Sequence, residues 1–188
     1  MSGKIDEMTA KLLKMVTGEE IGTGNFKGAY NIRSDSVSVD RKSTKNIRIE
    51  SKEDSSGLDI QIAPGTEGED VYIPACVTKS DINDVANNDF FVGAGADVRI
   101  IAGCGINSDG TKDSLHRGIH RFYLDEGARV LYLEKHIGIG SGDGGRIISP
   151  VAEIYQKKDS YLEMETAQIG GVSDSTRYTK AVLDENAS

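Results

Sequence analysis

A polar turn recurs through the second half of this chain at near-constant spacing, and that repeat limits the folds open to it. Segments 89–101, 121–133, 152–164 and 180–188 each read as a short strand, a polar turn and the start of another strand. The turns centre on Gly95, Gly127, Asp159 and Asn186, spaced by 32, 32 and 27 residues. Such self-similarity marks stacked architectures, because one strand–turn–strand unit cannot bury its apolar face until a similar unit lies on it. A small residue (Ala96, Ala128, Ser160, Ala187) follows each turn, as a corner between closely approaching coils requires. No helix fit to cross between parallel strands interrupts the repeats, which excludes an ordinary α/β sheet. An antiparallel sandwich of hairpins is the competing architecture. The turns are not of the two-residue Asn-Gly kind and the unit outruns a simple hairpin, so a mainly β fold, a β-solenoid, is expected.

Upstream, Ile47 and Ile49, then Leu58, Ile60 and Ile62, alternate with polar residues on either side of Asp54-Ser55-Ser56-Gly57. Val71 and Ile73 continue this period of two, which places one face of each strand in a core. Over 4–16, Ile5, Met8, Leu12, Met15 and Val16 recur at three and four, predicting a short amphipathic helix that packs on its own domain. Gly18, Gly22, Gly24 and Gly28 make 18–30 a loop, and 33–46, with Arg33, Arg41, Lys42 and Lys45, reads as a solvated connection. The expected division is an N-terminal helix and connecting arm over 1–45, then a β-helix domain over 46–188. The last repeat is cut short, so that domain reads as incomplete at its C-terminal end.

With 22 Lys+Arg against 30 Asp+Glu, the net charge of −8 argues against nucleic acid or an anionic membrane as the main partner. No apolar run approaches the length that spans a bilayer. Two cysteines make no disulfide framework, and a cytoplasmic location is expected.

Side chains that could carry chemistry cluster around Cys104. It sits between glycines in Ala102-Gly103-Cys104-Gly105, which leaves the thiol less shielded than one inside a strand. In Leu115-His116-Arg117-Gly118-Ile119-His120, an extended backbone points His116 and His120 to one side. His136 follows, so all three histidines fall within 32 residues of Cys104. Thiolate with imidazole suits iron or zinc, which makes Cys104, His116 and His120 candidate metal ligands, although the spacing is not that of a zinc site. Cys76, between Ala75 and Val77, reads as a small buried hydrophobe. The string Gly140-Ser141-Gly142-Asp143-Gly144-Gly145 precedes a strand and a proline rather than a helix, which excludes a dinucleotide loop; it reads as a flexible loop protruding from the solenoid.

Several of these stretches resemble the SufB/SufD family. They are Pro74-Ala75-Cys76-Val77-Thr78, Asn88-Asp89-Phe90, Gly95-Ala96-Asp97-Val98, Ala102-Gly103-Cys104-Gly105, Gly118-Ile119-His120-Arg121-Phe122, Glu134-Lys135-His136 and Glu163-Met164-Glu165-Thr166. The likeness is to the short bacterial and archaeal members, and it covers the front part of the family's pattern. It implies a right-handed parallel β-helix and a role as scaffold in iron–sulfur cluster assembly, working with the ATPase SufC and a second SufB/SufD chain, identical or not. The family's SufC-docking region is helical and follows the β-helix; this sequence ends before it. Gly103-Cys104 and Leu115-His116 match the family's Gly-Cys-Thr-Ala-Pro and Leu-His, with Gly105-Ile106 in place of Thr-Ala-Pro. His136-Ile137-Gly138 stands where SufB has Gln-Asn-Trp.

The resemblance thus implies a transient cluster as cargo, not required for folding, with Cys104, His120 and His136 as the residues that meet it. A protein of this kind is not an enzyme. The alternatives are a structural subunit that assembles the Suf complex without binding a cluster, and, more remotely, a β-helix carbohydrate-active enzyme using Arg99, Arg121, Arg129 or Arg146.

Overall fold

In a computed structural model, which describes residues 5–19 and 28–188, the chain is a parallel β-solenoid of about four turns. It opens with helix α1 (Glu7–Thr17), capped by the Asp6 carboxylate on the Thr9 amide at 2.7 Å and ended by Gly18 in a left-handed conformation. The rest of the loop expected over 18–30 falls largely at 20–27, outside the described residues.

Two strand pairs begin the sheets. β1 (Ala29–Ser34) and β2 (Val37–Lys42) form one antiparallel hairpin, and β3 (Ile47–Ser51) and β4 (Gly57–Ile62) another. From there every pairing is parallel. β5 (Glu67–Val77), β7 (Asp97–Asn107), β9 (Arg129–Ile139) and β12 (Tyr161–Gly170) stack on β1 to build one sheet. β6 (Asn83–Val92), β8 (Ser114–Leu124), β10 (Arg146–Ile148) and β13 (Asp174–Ser175) stack on β4 to build the other, with β11 (Val151–Gln156) on β8 and β14 (Tyr178–Leu183) on β11. The early coils give one strand to each sheet, the last two break their second strand into β10 with β11 and β13 with β14, and the core lies between the sheets.

The corners explain the repeat. Gly65, Gly95, Gly127, Asp159 and Asn186 all take a left-handed conformation, with φ between 56° and 67°. Only Gly, Asn and Asp adopt this readily, which is why the turn residue varies within that set. The amides of the first four corners reach the next coil, as Gly95 N–H does to the Glu126 carbonyl at 3.0 Å and Gly127 N–H to Lys158 at 3.1 Å. The Pro64-Gly65 corner belongs to the series although the sequence reading began it at Gly95. It lies 30 residues before Gly95 and lacks the flanking pattern of the later copies.

Like then lies above like. Ile60, Phe90, Phe122 and Ile154 form one interior column, with the Phe90 and Phe122 rings stacked at 4.8 Å and 6°. Outside, Phe91, Tyr123 and Tyr155 repeat this at 5.2 Å per rung. The second column is beyond the reach of periodicity alone: alternation tells which residues share a face, and stacking makes the exposed face a ladder as well.

Two expectations differ from what the structure contains. Segment 33–46 is not a solvated connection: strand pairing begins at Ala29, and Arg33 turns into the interior to bond the Asp84 carboxylate at 2.6 and 2.8 Å. Nor does 138–145 protrude freely. Gly142 and Gly144 donate to the carbonyls of Ser108 and Gly110 in the coil below, at 3.0 and 2.9 Å. A Cβ at Gly140, Gly142 or Gly144 would lie 2.1–2.3 Å from a carbonyl oxygen of that coil. Its glycines let two loops lie flush.

Candidate functional site

Strand alternation places Cys104 inside. On β7, Val98, Ile100, Ala102, Cys104 and Ile106 face the core, while Gly103 and Gly105 face outward under α1. A Cβ at Gly105 would sit 2.9 Å from Leu12, and one at Gly103 would sit 2.7 Å from Val16. The glycines therefore serve helix docking, and the thiol they flank is 1% exposed rather than accessible. Burial pushes this thiol well above its ordinary pKa. Cys76 faces the other way, buried beneath α1 with Sγ donating to the Thr9 carbonyl at 3.8 Å, as its small apolar surroundings led us to expect.

The core changes character along each strand. Near the corners it is aliphatic and aromatic; toward the loops it is polar. There His116 and His120 on β8, Glu134 and His136 on β9, Asn88 on β6, and Cys104 all point inward around a cavity of about 180 Å³, with Asp84 of β6 buried behind His116. All three histidines and Cys104 thus line one interior space, which sequence spacing anticipated only for His116 and His120. His136 lies directly above Cys104 in the sheet.

Each polar group in this space is held by another. His116 Nδ1 meets Asp84 Oδ2 at 2.9 Å, and Arg33 holds Oδ1 of the same carboxylate. Burial works to raise the Asp84 pKa, but the His116 and Arg33 hydrogen bonds prevail and hold it well below the usual carboxylate range. Tyr132 donates to Glu134 Oε1 at 2.9 Å and faces His120 Nδ1 at 3.2 Å. His136 Nε2 lies 3.5 Å from Glu134 Oε1, and Arg177 forms an ion pair with Glu134 Oε2. Burial depresses His120 to about 3, and depresses His136 against the opposing pull of Gln168.

Of these partners, sequence reading missed Arg33, Asp84, Asn88, Tyr132, Glu134 and Arg177. A signal existed for some of them: Asp84 and His116, Asn88 and His120, Cys104 and His136 all stand 32 residues apart, the stride of the corners. The arginines weighed for a carbohydrate groove are dispersed. Arg99 binds Asp70, Arg121 bridges Asp89 and Glu153, Arg129 covers Tyr161, and Arg146 reaches the Gly171 carbonyl.

Among the described residues no three His, Cys, Asp or Glu side chains converge into a metal-holding group, so Cys104, His116 and His120 share a cavity without closing on one point. The one thiol in this cavity falls short of the four thiolates that hold a permanent iron–sulfur cluster, so the site does not fit a permanently resident cluster held by this chain alone. Among the described residues, no helix is long and apolar enough to cross a membrane.

Comparison with known proteins adds relatives. The chain is similar to an iron–sulfur cluster assembly SufBD family protein of Methanothermobacter thermautotrophicus strain Winter, and to another from strain Delta H. Each is 26% identical over 171 residues, covering 78% of this chain and 41% of the relative. The chain therefore spans about two fifths of the length of these curated relatives. No protein-family model matches it, and no solved structure does so significantly. Over most of its length the chain is similar in sequence to SufBD family proteins, and the resemblance read from its sequence is borne out.

Proposed function

We propose that the chain is a scaffold component of the SUF iron–sulfur cluster assembly system, non-catalytic and cytoplasmic, acting with a SufC-type ATPase and a second SufB/SufD chain. One observation carries the reading: Cys104 lies under His136 in a polar cavity, at a level where a solenoid would ordinarily stack apolar side chains. Polar groups are costly to bury, and a core that concentrates them marks a functional space. The cluster is cargo in this reading. The shortage of thiolates accords with a site that releases what it receives.

Anaerobic reconstitution with iron and sulfide tests this. Iron and sulfide should bind the wild type and fall by roughly fivefold or more in Cys104→Ser, since the only other cysteine is buried beneath α1. Equal loading of the two would reject Cys104. The second reading, a structural subunit that assembles the complex without holding a cluster, is favoured by the raised Cys104 pKa. It predicts sub-stoichiometric iron in both proteins with complex formation intact.

A further inference from the structure

The space above Gly118 is bounded by hydrogen-bond acceptors. His116, Gly118 and His120 alternate along the inner face of β8, and the missing side chain in the middle opens the floor between two imidazoles. A Cβ at Gly118 would lie 2.7 Å from His120 Nε2 and 3.4 Å from His116 Nε2, so both nitrogens overhang one residue.

Their orientations follow from their partners. Asp84, whose other oxygen accepts from Arg33, meets His116 at Nδ1 and so leaves Nε2 turned to the cavity. Tyr132 spends its one hydroxyl proton on Glu134, so it accepts from His120, whose proton is on Nδ1. Both Nε2 atoms therefore face the cavity over Gly118, and on His120, which burial keeps neutral, that nitrogen is a free acceptor. Asn88, paired with His120 across the sheet and 6% exposed, adds another acceptor: its Oδ1 is the one buried side-chain N or O atom among the described residues without a hydrogen-bond partner.

We infer that these three atoms form a site for a divalent transition-metal ion, with His116 Nε2 and His120 Nε2 as ligands, Asn88 Oδ1 as a third, and water completing the shell. Imidazole suits such ions. A histidine whose far nitrogen donates to a carboxylate, as His116 does to Asp84, is the usual support for a metal-bound imidazole. The cavity lining includes the exposed Ser51, Ser55 and Ser56, so the space reaches the surface and an ion has a path inward. Cys104 is not a ligand here, so the site stands independently of the scaffold reading.

Titration of the full chain with Co²⁺ under reducing, anaerobic conditions tests the inference. One Co²⁺ per chain is expected, with visible ligand-field absorption and hyperfine-shifted imidazole N–H signals from two histidines. Affinity should fall by roughly tenfold or more in His116→Gln and in His120→Gln, and stay unchanged in His136→Gln and Cys104→Ser. Asn88→Asp puts a carboxylate among the acceptors and should bind Co²⁺ roughly tenfold tighter, a gain that does not depend on either histidine variant folding. Failure of the wild type to bind, binding that survives both histidine substitutions, or no gain from Asn88→Asp would overturn the site. Loss of cluster loading in Cys104→Ser with Co²⁺ binding retained would separate this site from cluster assembly.

Discussion

Taking the protein from pH 7 to pH 4.5 is expected to remove on the order of 3 kcal/mol of folding stability through His120 alone. In the folded chain burial holds this imidazole at about 3, against an ordinary value of 6.5. The unfolded chain therefore takes up the proton first, and stability falls as pH drops below 6.5, continuing down to about 3. His136, also depressed by burial, adds loss of the same sign. Asp84 acts in a lower range. Its pKa is depressed, so its contribution is intact above the ordinary 3.8 and fades only below it. The window between 4.5 and 6.5 thus belongs to the imidazoles. Denaturant midpoints at pH 7, 5.5 and 4.5 measure the effect, and His120→Gln should flatten the slope. A wild type equally stable at pH 7 and 4.5 would mean that the imidazoles lie in solvent.

Gly103→Val should cost on the order of 4 kcal/mol, or prevent folding. Gly103 has φ 144°, and a Cβ there would lie 2.2 Å from the Lys135 carbonyl oxygen and 2.7 Å from Val16. The first clash is with backbone of the next coil and the second with the docked helix, so neither is relieved by turning one side chain. Gly95→Ala is the control. That corner also has positive φ but nothing within 4 Å of the added methyl, so only the conformational cost of about 1 kcal/mol applies. Equal losses in the two variants, read by chemical denaturation, would show that helix and coil packing do not set the requirement at Gly103.

The corners were legible because their chemistry is local. A left-handed corner favours Gly, Asn or Asp, and these types recurring at a near-constant stride announce a coil. The polar core was less legible because alternation does not say which face is buried when polar residues occupy both. Asp84 and Glu134 look like surface carboxylates until a neighbouring coil supplies His116 and Arg177. Cys104 misled for the same reason. Its glycine neighbours suggested openness, yet they make room for Leu12 and Val16 on the outer face and leave the thiol sealed within. The stride of 32 residues, applied to the interior as well as to the turns, would have paired Cys104 with His136 and Asp84 with His116.

The most direct test of an inward-facing, polar solenoid core is ¹⁵N NMR of the imidazole rings across a pH series. His120 should stay neutral down to pH 5 with its proton on Nδ1, shielded by Tyr132 and Phe122. A His120 that titrates near the ordinary 6.5, or that carries its proton on Nε2 at neutral pH, would contradict the burial on which the cavity and both proposed sites depend.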